Sequence, residues 1–133
     1  MIIELLRVAG AVHLIIIGAN FVLPGRVNLG ANLRRLDPFV RQVFVIHHAY
    51  IIAVLGLFAA LCFLYPAELA GGTGLGRFVC GFMAIFWGAR LWIQLFYYDR
   101  EVKVRYPAEH WAFSFAVSSL AVVLTAAALG VSI

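Results

Sequence analysis

The chain has 133 residues, of which 65% are hydrophobic and 12% charged, and its net charge is +4. This composition is far more apolar than that of a water-soluble domain, so we expect a membrane protein. A chain of this length has room for about four spanning helices and none for a soluble domain. We therefore expect a single domain, residues 1–133, with membrane lipids and no nucleic acid among its partners.

Four continuous apolar stretches follow one another, and each ends at proline or glycine residues typical of turns. They run from 5 to 23, from 39 to 65, from 75 to 98 and from 108 to 131. Because the stretches are continuously apolar rather than alternating, they favour helices over a membrane barrel. We predict an all-α integral membrane protein in which four transmembrane helices form an up-down bundle.

Lysine and arginine residues predict how the bundle is oriented, because basic loops are retained in the cytoplasm. Those in or beside the first and third loops are Arg26, Arg34, Arg35, Arg41, Arg100, Lys103 and Arg105. The opposite side has only Arg7 and Arg77. We expect both termini outside, the basic loops in the cytoplasm, and a bacterial inner membrane as the location.

The first two spans each contribute polar side chains. In the first, His13 and Asn20 share one helix face. The second contains the adjacent His47 and His48, whose side chains point about 100° apart, so only one can face a small common site. We predict that His48 faces inward, because it lies at the edge of the small-residue face of this helix.

The last two spans carry the strongest polar signal. Arg90, Gln94 and Tyr97 form one stripe along the third span, and His110 and Ser114 share a face of the fourth. A second stripe on the third span is expected to serve close helix packing, and consists of Gly81, Ala84 and Gly88. A rise of about 1.5 Å per residue places most of this polarity in the cytoplasmic leaflet.

A charged arginine near the middle of a bilayer costs at least ~2.5 kcal/mol, so Arg90 needs water, a partner or the bundle interior. One interpretation is that its long stem reaches the cytoplasmic interface, where it pairs with Glu109, Asp99 or a lipid phosphate. The other is that it binds the anionic or carbonyl head of a lipophilic ligand. Both interpretations remain open on the sequence alone.

From these patterns we predict a polar pocket for an amphiphilic ligand that is lipid-, quinone- or isoprenoid-like. Its expected ligand-binding residues are Arg90, Gln94, His48, Asn20, Tyr97, Ser114 and His110. The sequence leaves open whether any reaction follows binding, since it contains no catalytic motif or metal-binding cluster.

Two other functions are compatible with the sequence. The first is electron transfer by a b-type haem ligated by His13 and His48, although their estimated depths differ by roughly 5 to 12 Å. The second is an accessory subunit of a larger membrane complex, and we expect the chain either to form a homodimer or homotrimer or to be a subunit of such a complex. Cys62 and Cys80 lie at similar depth near the outer side, where we expect two buried thiols more often than a disulfide.

Overall fold

The computed structural model describes residues 1–131, and these are helical apart from short connections. In chain order the helices are α1 (Ile2–Arg26), α2 (Leu29–Arg34), α3 (Pro38–Leu64), α4 (Pro66–Ala70), α5 (Gly74–Trp92), α6 (Arg100–Arg105) and α7 (Pro107–Leu129). A π-helical turn, Ile93–Tyr97, continues α5. Within the described residues, four helices are long and apolar enough to cross a membrane, namely α1, α3, α5 with its π-helical turn, and α7. The chain is therefore an integral membrane protein.

Several helices begin where the local chemistry favours a start. Pro38 and Pro107 occupy the first positions of α3 and α7, where a missing N–H is harmless. Asp37 caps α3 by accepting a hydrogen bond from the Phe39 N–H at 3.0 Å. The side chain of Thr73 caps α5 in the same way, through the Gly76 N–H at 3.1 Å.

Helix α1 continues past the predicted stop at Pro24 and ends at Arg26. Proline in a helix removes the hydrogen bond to the carbonyl four residues earlier, which here is that of Asn20. The last turn of α1 is therefore held less tightly than the rest, although the helix is not interrupted.

The four long helices are neighbours in the spatial order α3, α1, α7, α5. Helix α5 packs most extensively on α7, and α1 packs on both α3 and α7. Buried apolar side chains come from all four helices, and they include Leu6, Ile16, Leu55, Met83, Leu120 and Leu124. The core therefore lies along a row of four helices whose two ends are α3 and α5.

Helices α3 and α5 hardly approach each other through their backbones. They meet through one aromatic cluster, in which Phe58 of α3 contacts Phe82 and Phe86 of α5 edge to face, with ring centroids 6.3 and 5.2 Å apart. A gap between the two helices therefore remains beside this cluster.

The π-helical turn at the end of α5 changes the direction of the side chains that follow it. The Tyr98 N–H donates to the Ile93 carbonyl, five residues back, at 3.2 Å. The Lys103 ammonium of α6 donates to the Leu95 carbonyl inside the same turn. A π-helical turn contains more residues than an α-helical turn, so the side chains after Gln94 no longer follow the 3.6-residue pattern.

Candidate functional site

A cavity of about 870 Å³ occupies the gap between α3 and α5. Its apolar walls come from all four long helices and include Ile16, Leu55, Phe86 and Trp87. Its ionisable and amide side chains come from the second halves of α1 and α5, the turn that continues α5, and the first halves of α3 and α7. They are Asn20, His48, Arg90, Gln94, Glu109 and His110. The cavity thus has one polar end and an apolar remainder.

A chain of hydrogen bonds crosses the polar end from α5 to α7. The Arg90 guanidinium donates to Oε1 of Gln94 at 3.1 Å. The amide nitrogen of Gln94 lies 2.9 Å from Nδ1 of His110. Gln94 and His110 are both buried, while Arg90 is half-buried. The two helices that pack most closely therefore hold these three side chains in a fixed arrangement.

The direction of these hydrogen bonds determines the tautomer of His110. A guanidinium only donates, so the oxygen of Gln94 faces Arg90 and its NH₂ group faces His110. Because the NH₂ group also only donates, Nδ1 of His110 accepts, and the proton of the neutral imidazole lies on Nε2. That Nε2 is buried and has no hydrogen-bond partner among residues 1–131. The chain of hydrogen bonds therefore ends on an unpartnered N–H donor.

The positive charge of Arg90 is contacted but not neutralised. Its guanidinium lies over the rings of Phe113, at 4.8 Å, and Tyr98, at 5.3 Å. No carboxylate of the described residues is close enough to pair with it. Glu109 instead forms an ion pair with Arg26 at the end of α1. The pairing of Arg90 with Glu109 or Asp99, which was one of the two interpretations of the sequence, is not formed among the described residues, where Glu109 pairs with Arg26.

The structure places the predicted residues of α1 and α3 beside this end of the cavity. His48 lines the cavity, and its ring is stacked on that of Phe44 with centroids 6.3 Å apart. His47 is exposed and its Nδ1 donates to the Val43 carbonyl at 2.8 Å. Asn20 also lines the cavity, while its NH₂ group donates to the Ile16 carbonyl at 2.8 Å.

Two of the predicted ligand-binding residues do not line the cavity. Tyr97 is 72% exposed, because the π-helical turn rotates it outward and brings Tyr98 over Arg90 instead. Ser114 is buried, but its hydroxyl donates to the His110 carbonyl at 2.7 Å within α7. Neither side chain belongs to the polar end, so both assignments are corrected.

Sequence reasoning missed Tyr98 and Phe113 as members of the site. Phe113 lies one helical turn after His110, and this spacing was a usable signal for a shared face. Tyr98 had no comparable signal, since its position depends on the π-helical turn. Glu109 was not among the predicted ligand-binding residues, and it lines the cavity while paired with Arg26.

His13 is fully buried and belongs to a separate, closed network. The Trp87 indole N–H donates to its Nε2 at 2.9 Å, so the other nitrogen, Nδ1, carries the proton and donates to the Ala9 carbonyl at 2.7 Å. A haem iron needs a free imidazole lone pair, and neither nitrogen of His13 has one. The arrangement therefore does not favour His13 and His48 as a haem ligand pair.

The two cysteines are separate buried thiols in this structure. The Cys80 thiol donates to the Leu69 carbonyl of α4 at 3.6 Å, and Cys62 lies in the apolar core of α3. Neither side chain lines the large cavity.

Comparison of the chain with protein-family models, curated proteins and solved structures found no match.

Proposed function

We propose that this protein binds an amphiphilic, lipid-like ligand in the cavity between α3 and α5. The head of the ligand lies against Arg90, Gln94 and His110, and its apolar tail extends along the aromatic wall toward the surrounding lipid. The observation that carries the proposal is an unneutralised guanidinium at the polar end of an otherwise apolar cavity.

The energetics of Arg90 support a polar head at this position. An unpaired arginine in the bilayer costs at least ~2.5 kcal/mol. Each aromatic contact returns only about 0.5 to 2 kcal/mol. The single hydrogen bond to Gln94 leaves most of the five guanidinium N–H donors free. A head group that accepts hydrogen bonds would occupy these donors.

The size and walls of the cavity support an apolar tail. Small-molecule sites in proteins are typically about 300 to 1,000 Å³ and mostly apolar, and this cavity of about 870 Å³ falls in that range. Because the backbones of α3 and α5 hardly approach each other, the opening faces the side of the bundle. A lipid-like molecule could enter from the bilayer without crossing water.

The orientation that we propose places this polar end in the cytoplasmic leaflet of a bacterial inner membrane. Two contacts between helix ends support an up-down bundle. Arg77, at the start of α5, donates to the last carbonyls of α7, while Arg26, at the end of α1, pairs with Glu109 at the start of α7. Both termini and Arg77 then lie outside, and the basic loops lie in the cytoplasm.

Native mass spectrometry of the protein from a gentle detergent tests this function. We expect a bound amphiphile of defined mass on the unaltered chain, and its loss from the Arg90→Gln variant. The matched control is Arg35→Gln, which removes an exposed charge away from the cavity and should keep the bound mass. Equal occupancy in all three proteins, or none in any, would refute the proposal.

A further inference from the structure

We infer that the head group of the ligand is an anion that only accepts hydrogen bonds, a carboxylate or a phosphate. This inference deepens the proposed function and rests on it. Its basis is the unneutralised Arg90 guanidinium at one end of the hydrogen-bond chain through Gln94, together with the unpartnered His110 N–H at the other end.

The first donor is the Arg90 guanidinium, which uses one N–H on Gln94 and is always charged. The second is the Nε2–H of His110, which the Gln94 amide creates by donating to Nδ1. This buried N–H has no partner within residues 1–131, and His110 is one of the residues that line the cavity. A buried donor without a partner is uncommon in native proteins and needs an explanation, which an acceptor on the ligand would supply.

The charges around the cavity favour an anionic acceptor over a neutral one. Glu109 and Arg26 neutralise each other in their ion pair. Among the described residues, the charge of Arg90 is then left without a carboxylate partner. A carboxylate or phosphate would match both the donors and this charge, whereas an ester or alcohol would match the donors only.

One substitution, Gln94→Glu, neutralises the charge of Arg90 and removes the donor at Nε2 of His110 with almost no change of side-chain shape. In the Gln94→Glu variant, the new carboxylate pairs with Arg90 and neutralises its charge. The same carboxylate can only accept, so it draws a proton to Nδ1 of His110 and leaves Nε2 of the neutral ring as an acceptor. The site should then repel an anionic head. Gln42→Glu is the matched control, since Gln42 is exposed on α3 and does not line the cavity.

The test measures equilibrium binding of oleic acid, dioleoyl phosphatidic acid and methyl oleate to detergent-exchanged protein. We expect oleic acid or phosphatidic acid, or both, to bind at least about tenfold more tightly than methyl oleate. The affinity for that acid should fall about tenfold or more in Gln94→Glu and stay unchanged in Gln42→Glu. Tighter binding of oleic acid would identify a carboxylate ligand, and tighter binding of phosphatidic acid a phosphate ligand.

Equal affinities for methyl oleate and both acids in the unaltered protein would overturn the anionic head, and this comparison stands even if Gln94→Glu fails to fold. If all three compounds bound equally but lost affinity in Arg90→Gln, the proposed ligand site would be supported and only the anionic head would be refuted. If none of the three compounds bound and native mass spectra did not depend on Arg90, the proposed function would fail as well.

Discussion

The two buried histidines, His13 and His110, differ in whether both of their ring nitrogens have hydrogen-bond partners. His13 accepts from Trp87 and donates to Ala9, so both of its nitrogens are occupied. His110 accepts from Gln94 and keeps a buried N–H without a partner in the described chain. The first arrangement uses both ring nitrogens inside the core, and the second leaves a donor for which the proposed function supplies an acceptor. Residue type and depth in the membrane do not distinguish these two roles.

The closed network around His13 yields a stability prediction. In the Trp87→Phe variant, the His13 acceptor loses its donor in a fully apolar setting, which we expect to lower the free energy of unfolding by about 1 to 3 kcal/mol. The measurement is unfolding in mixed micelles with increasing sodium dodecyl sulfate. Trp92→Phe is the control, because Trp92 is 58% exposed and should cost little. Equal effects of the two substitutions would mean that the indole–imidazole bond contributes nothing.

At the scale of the helix, the π-helical turn decides which tyrosine belongs to the site. We expect Tyr98→Leu to weaken binding of oleic acid or phosphatidic acid, whichever binds the unaltered protein more tightly, by between about twofold and thirtyfold. The substitution removes an aromatic ring that contacts the Arg90 guanidinium. Tyr97→Leu should have no such effect, because Tyr97 faces outward. The measurement is the same equilibrium binding. The reverse order of effects would indicate that α5 continues as a regular helix to Tyr97.

Hydropathy and turn residues predicted the four long helices from the sequence, because apolar length and proline are local properties. The end of α5 was not predictable in this way, since a π-helical turn has no simple sequence pattern. The predicted packing role of the stripe that contains Gly81 and Gly88 is a second point at which the sequence pattern did not predict the structure. A side chain added at either position would meet nothing within 4 Å, so these glycines do not serve close packing inside the described chain.

For the whole molecule, the grouping of polar residues at one end of the bundle followed from their position along each helix. Arg90, Gln94, His48, Asn20 and His110 all lie at that end of the cavity. Which helices are neighbours could not be read from the sequence, because every span is apolar on several faces. The gap between α3 and α5 is therefore a property of the tertiary packing, and the cavity depends on it.

Trp87 reports directly on that cavity, because it lines the wall and is only 2% exposed to the surroundings. With Trp92 and Trp111 changed to phenylalanine, it is the single fluorophore of its type in the chain. The most direct measurement is the quenching of Trp87 fluorescence by 9,10-dibromostearic acid and by phosphatidic acid with 9,10-dibromostearoyl chains, whichever binds, because bromine atoms quench only at short range. We predict saturable quenching that disappears when Arg90 is changed to glutamine. Quenching that never saturates, or that is the same without Arg90, would contradict a ligand site between α3 and α5.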